Sequence, residues 1–117
     1  MGTLGHYSYL EVLTYKVSAG RREDFHAALQ AALGAMERAG LCIVGFGPSA
    51  HDADSYFLLR AYPSLESRSH SLDRCYCGQE WLKDYDPALA PLVQSCSTVV
   101  LPCEPEGIEK LKHTIFY

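Results

Sequence analysis

The fold is decided by residues 56–68, which read YFLLRAYPSLESR. Apart from Arg60, the first six of these residues are apolar or small, which is typical of a buried β-strand. Pro63 cannot donate to a strand ladder and Ser64 is a favoured helix N-cap, so the sequence predicts that a strand gives way to a helix here. Arg68 then falls one turn into that helix, where it is either a surface cation or a group aimed back at the sheet.

Working outward from this stretch, hydrophobic periodicity predicts a complete α+β domain. Strands are predicted at 7–17, 41–46, 56–61 and 97–101, and the main helices at 21–39 and 65–77. A shorter helix at 79–85 is expected to stop before Pro87 and to leave a helical remnant over 88–95. The order β-α-β-β-α-β is the ferredoxin-like split unit. It predicts a four-stranded antiparallel sheet with strands one and three in the centre and both helices on one face.

The third strand also predicts a homodimer. Residues 56–59 are apolar at every position, and such a strand is normally covered on both faces. Two helices cover one face, and we expect nothing else in the chain to cover the other. A second copy of the sheet, packed face to face, is the expected cover.

The composition limits the partners, locations and cofactors that we expect for this protein. The 117 residues form one domain, and the net charge of -4 with scattered basic residues argues against a nucleic-acid partner. The apolar runs fall short of the ~20 residues of a membrane span, and the first residues lack the pattern of a signal peptide. The five cysteines form no disulfide framework, which favours a reducing, cytoplasmic location. We expect no cofactor, and the histidine spacings match no metal site.

Several segments together resemble the NIPSNAP family of dimeric α/β-barrel proteins. They are YLEVLTY at 9–15, AGRREDF at 19–25, Tyr62-x-Ser64-x-x-x-Arg68, Glu80-Trp81 and STVVLP at 97–102. The resemblance covers about residues 9–102 and implies a ferredoxin-like monomer that pairs into a barrel. Residues 1–8 are then a leader, and residues 103–117 a C-terminal tail that we expect to dock on the partner subunit. The resemblance implies little about chemistry, because the family has no general catalytic signature.

The chain departs from the family's pattern at two positions. Family members often carry Arg where this chain has Leu13, and the position of Arg60 is commonly aromatic there. If strands one and three are neighbours, Glu11 and Arg60 approach each other across the sheet. We therefore hypothesise that a charge lost at one position is restored from the neighbouring strand.

The candidate ligand-binding residues are Arg60, Tyr62, Arg68, Trp81 and Glu11. A buried guanidinium must be paired or must bind an anion. Arg60 is therefore a structural ion pair, a ligand-binding group or an exposed strand-end residue. Arg68 either bridges helix and sheet or lines a space between them.

The histidines are weaker candidates for a functional site than the arginines. His51 lies with Asp52 and Asp54 in a loop whose short polar residues are mainly turn formers. His26 is expected on the solvated side of the first helix, and His70 on a different side of its helix from Arg68.

Three functions remain open from the sequence. The first is a small dimeric protein that binds a small apolar or acidic molecule between sheet and helices. The second is a cofactor-independent monooxygenase or isomerase, for which no catalytic residue can be assigned; His51, His70 or Tyr62 would be its proton-transfer group. The third is a structural oligomerisation module. The first two require a cavity beside Arg60 or Arg68, whereas the third predicts a filled interior with both arginines paired.

Overall fold

The computed structural model describes residues 6–115, and it has the predicted element order. The four strands form one antiparallel sheet in the order β2-β3-β1-β4, so β1 and β3 are central as predicted. The strands are β1 (Tyr9–Val17), β2 (Cys42–Pro48), β3 (Ser55–Tyr62) and β4 (Val93–Pro102). The α-helices are α1 (Arg22–Arg38), α2 (Leu65–Tyr76), α3 (Asp86–Leu89) and α4 (Pro105–Lys112), with a π-helix at Trp81–Tyr85 and a 3-10 helix at Ala90–Leu92.

Local sequence signals set the helix ends. The Ser64 side chain accepts a hydrogen bond of 3.0 Å from the Ser67 N–H, so it caps α2 as predicted. At the end of α1, Gly40 has a φ of +100°, a left-handed conformation that a residue with a Cβ adopts only under strain. The hydrogen bond of 3.0 Å from the Leu41 N–H to the Met36 carbonyl closes this end.

The two main helices and the π-helix cover one face of the sheet. The buried stripe of α1 packs there against alternate residues of β1 and β3, because side chains two apart on a strand share a face. The resulting main core contains Leu13, Val17, Phe25, Leu29, Ala32, Met36, Tyr56, Leu58, Tyr62 and Trp81.

The expectation that the chain leaves nothing for the opposite face is wrong. Helix α4 packs on that face, and Ile108 is fully buried there in a second cluster with Leu10, Val44, Leu59 and Ala61. The tail therefore contacts the sheet of its own chain. The cover is partial, since Val99 on β4 remains 60% exposed. Contact between the tail and a partner subunit stays a prediction.

The predicted helix stop before Pro87 is also wrong. Pro87 lies in the first turn of α3, where an amide hydrogen has no partner within the helix and its loss costs little. Helical structure therefore continues through the π-helix and α3 up to Leu92. The predicted remnant ends there, and β4 begins at Val93, four residues before its predicted start. Among residues 6–115, no helix is both long and apolar enough to cross a bilayer.

We predict that Ile108→Ala lowers the free energy of unfolding by roughly 2–5 kcal/mol, because it removes a buried side chain and leaves a cavity. Chemical denaturation measures this loss. The control is Lys110→Ala on the exposed side of the same helix, with an expected change within about 0.5 kcal/mol. Equal effects of the two substitutions would contradict the docking of α4.

Candidate functional site

A buried ion pair joins the two central strands. Glu11 on β1 and Arg60 on β3 are register partners, and their side chains both point to the helix-covered face. The Arg60 Nε donates to Glu11 Oε1 over 2.6 Å, and both side chains are almost fully buried. The hypothesis that these residues meet across the sheet is thus confirmed.

Two further predicted residues bind the same carboxylate. The Tyr62 hydroxyl donates to Glu11 Oε1 over 2.7 Å. The Arg68 Nε donates to Glu11 Oε2 over 2.8 Å, and Arg68 Nη2 lies 2.8 Å from the same oxygen. We refer to Glu11, Arg60, Tyr62 and Arg68 as the Glu11 cluster. Arg68 faces the sheet as predicted, since it reaches Glu11 from α2.

The Glu11 cluster keeps its carboxylate ionised. Burial alone would raise the pKa of Glu11, but the charge of Arg60 and the hydrogen bonds from Arg60, Tyr62 and Arg68 bring the pKa below its usual value. Burial raises the pKa of the Tyr62 hydroxyl, which therefore stays protonated and remains a donor. With its oxygens occupied by three donors, Glu11 is a poor general base.

A cavity of about 370 Å³ lies between the sheet and the helices, and the Glu11 cluster forms part of its wall. Glu11, Arg60, Arg68 and Trp81 all line it, whereas Tyr62 lies behind Glu11. Most of the wall is apolar, with Leu13, Phe25, Leu29, Leu72, Trp81 and Leu89 among its residues. A volume of this size, with a few polar groups at one side, is typical of a small-ligand pocket.

Several polar lining residues were not identified from the sequence. Tyr76 accepts a hydrogen bond of 2.6 Å from Arg60 Nη1, and its position two helical turns after Arg68 was a usable signal. Tyr15 follows Leu13 on the same face of β1 and lines the cavity from this central strand. Asp86 was missed because the helix was expected to stop before Pro87. The exposed residues Cys96 and Thr98 line the cavity from β4.

The histidines lie away from this cavity. The His51 ring contacts the Ser49 hydroxyl at 3.1 Å in the loop before β3, in line with the turn interpretation. His70 is exposed on α2 and borders a different, shallow depression. The expectation that His26 is merely solvated is wrong, because its Nδ1 hydrogen-bonds the Tyr56 hydroxyl.

Metal-ligating side chains do not gather in the described part of the chain. Among residues 6–115, no group of three or more His, Cys, Asp or Glu side chains is placed to hold a metal ion. The five cysteines form no disulfide with one another.

The fold is shared with solved structures, although no protein-family model and no curated protein matches the sequence. A NIPSNAP family protein from Agrobacterium tumefaciens has a TM-score of 0.77 at 17% identity, covering 86% of this chain and 92% of its own. An uncharacterized NIPSNAP domain protein from Burkholderia xenovorans has a TM-score of 0.73 at 21% identity, covering 80% and 91%. A protein of the antibiotic biosynthesis monooxygenase type from Nitrosomonas europaea has a TM-score of 0.66 at 18% identity, covering 85% and 91%.

This likeness defines the structural class of the protein. It has the ferredoxin-like α+β fold that NIPSNAP proteins and monooxygenase-type proteins share, as the sequence resemblance implied. At these identities the likeness concerns the fold alone, since unrelated functions occupy a common fold.

We predict that Glu11→Gln destabilises the protein by roughly 3–5 kcal/mol at pH 7, because it leaves buried guanidinium charge without its counter-charge. The lowered pKa of Glu11 gives this contribution a pH dependence. It is fully present above the usual pKa of 4.5 and is lost as the pH falls through the lower pKa of the native state.

Unfolding free energies of wild type and Glu11→Gln between pH 7 and pH 3 measure the effect, and the two should converge at acidic pH. Asp24→Asn is the control. Asp24 also pairs with an arginine, at 2.6 Å, but in an exposed position worth at most about 1 kcal/mol. A difference between wild type and Glu11→Gln that stays constant with pH would contradict the assignment.

Proposed function

We propose that this protein is a homodimeric, NIPSNAP-like protein that binds a small, mainly apolar molecule in the cavity between sheet and helices. The observation that carries the proposal is the coincidence of an unfilled, largely apolar cavity with the Glu11 cluster. Both arginines are paired with Glu11, as a structural module also predicts, whereas the space beside them is open and not filled by side chains, as a binding protein requires. The cytoplasm is the proposed location, because none of the five cysteines is paired.

The alternative of a monooxygenase or isomerase is supported by the fold of the Nitrosomonas europaea protein. An enzyme of this kind needs a proton-transfer group at the cavity. Glu11 is saturated with donors there, and burial raises the pKa of both Tyr15 and Tyr76, which disfavours their acting as bases. These observations argue against proton transfer by Glu11, Tyr15 or Tyr76, and they leave Asp86 as the remaining acidic residue of the lining.

The ligand cavity can be probed through Trp81, the only tryptophan of the chain, which lines it. We predict that the uncharged probe N-phenyl-1-naphthylamine binds wild type and accepts excitation energy from Trp81. Thr98→Phe should weaken binding at least about tenfold, because the ring enters the cavity from an exposed strand position.

The control is Ser95→Phe. Ser95 lies on the same strand but pairs with Lys16, so its side chain points away from the cavity. Equal binding by the two variants, or no binding by wild type, would remove the support for a ligand cavity.

The proposed dimer uses the part of the sheet that α4 leaves open. Val99 and Leu101 on β4 are exposed large apolar residues, and they lie beside Val12 and Leu10 of β1 on that face. A second copy carries the same apolar surface, so two sheets can cover each other about a two-fold axis. Packing of sheet on sheet would bury this surface in the manner of a sandwich.

We predict that Val99→Asp converts a dimer into a monomer, because it places an unpaired carboxylate in the proposed apolar interface. Light scattering at micromolar concentration measures the molar mass and so distinguishes the dimer from the monomer. Gln94→Asp, an exposed change on the same strand, should leave the dimer intact. A wild-type protein that is monomeric under these conditions would refute the dimer.

A further inference from the structure

We propose that the ligand carries a single carboxylate, received in the cavity by Arg68, Tyr76 and Tyr15. This inference rests on the proposed binding function and names the class of its ligand: a monocarboxylic acid with an apolar body. Its first support is the charge of the Glu11 cluster. Two guanidinium groups, Arg60 and Arg68, share the one carboxylate of Glu11, so the four residues of the cluster carry a net charge of +1 at one side of the cavity, with Asp86 as the second acidic residue of the lining.

Of the two arginines, Arg68 is the more accessible from the cavity. Arg60 is 2% exposed and uses Nε for Glu11 and Nη1 for Tyr76. Arg68 uses Nε and Nη2 for Glu11, and its Nη1 has no partner among residues 6–115. The side chain lines the cavity and is 27% exposed. A guanidinium N–H without a hydrogen-bond partner at the wall of a mainly apolar cavity can form a charge-assisted hydrogen bond with a carboxylate oxygen, which is roughly twice as strong as a neutral one.

Two tyrosine hydroxyls add donors. Tyr76 accepts its hydrogen bond from Arg60, so its own hydrogen is free for another acceptor. The Tyr15 hydroxyl has no hydrogen-bond partner among residues 6–115, although Tyr15 lines the cavity. Every fully enclosed side-chain oxygen or nitrogen in that range has a partner, so the Tyr15 oxygen reaches accessible space. Both hydroxyls stay protonated at neutral pH, since burial raises their pKa values.

Asp86 restricts the proposed ligands to acids that carry a single negative charge. Asp86 is a lining residue of the same cavity, which is otherwise mainly apolar. A ligand with one carboxylate can place it at Arg68, whereas a second carboxylate would meet either apolar wall or the like charge of Asp86. Phosphate esters are disfavoured for the same reason, since they carry nearly two charges at neutral pH. The cavity wall therefore suits a monocarboxylic acid whose body is apolar and either flat or branched.

The test compares naphthalene-2-carboxylate with naphthalene-2-carboxamide by titration calorimetry at pH 7. The two probes have the same apolar body and differ in charge. We expect wild type to bind the acid roughly ten- to hundredfold more tightly than the amide, as one charge-assisted hydrogen bond would give. Arg68→Met should abolish this preference, whereas Lys83→Met, which removes an exposed cation outside the cavity, should keep it.

Two further variants leave the Glu11 cluster intact and decide the question if Arg68→Met does not fold. Tyr15→Phe should weaken binding of the acid severalfold and leave the amide unaffected. Asp86→Asn should tighten binding of the acid and admit naphthalene-2,6-dicarboxylate, which wild type should reject. If neither Tyr15→Phe nor Asp86→Asn changes the binding of these probes, the inference is overturned.

The outcomes separate this inference from the proposed function. Equal affinity of wild type for acid and amide, or no binding of the acid while N-phenyl-1-naphthylamine binds, overturns the carboxylate class alone. Failure of all three compounds to bind wild type overturns both the class and the ligand cavity.

Discussion

The ion pair between Glu11 and Arg60 is the constraint on which the rest of the structure depends. The two residues are 49 positions apart in sequence and directly opposite in the sheet. A shift of the β1–β3 register by one residue would turn one of these charges toward the other face, where it would be buried without a partner. The pair therefore fixes a single register between two strands whose other residues are mostly apolar on both faces and specify it only weakly.

The same carboxylate also fixes helix α2. Helix α1 holds to the sheet by a full apolar stripe, whereas α2 buries only Ser71 and Cys75 completely. Polar contacts also attach α2 to the sheet. Arg68 donates a hydrogen bond to Glu11, and Tyr76 accepts one from Arg60. The cavity lies beside these polar contacts, and it is lined by residues of both α1 and α2.

The sequence predicted the features that depend on short-range patterns. Strand and helix order and the Ser64 cap follow from local rules, and the meeting of Glu11 with Arg60 follows from register once the topology is assumed. The docking of α4 and the passage of helix through Pro87 were not predictable in this way. Both depend on what the remainder of the chain packs against, and Pro87 is tolerated only because a new helical turn begins there.

Strand β4 links the two faces of the sheet and hence the two parts of the proposed function. Its alternate side chains serve different surfaces: Cys96 and Thr98 line the cavity, while Val99 and Leu101 lie on the open face. The strand is hydrogen-bonded to β1 alone, so its position is less constrained than that of the central strands. A second sheet packed on Val99 would hold β4 against β1 and with it the cavity wall. In the proposed dimer, association would therefore be coupled to the shape of the cavity through one edge strand.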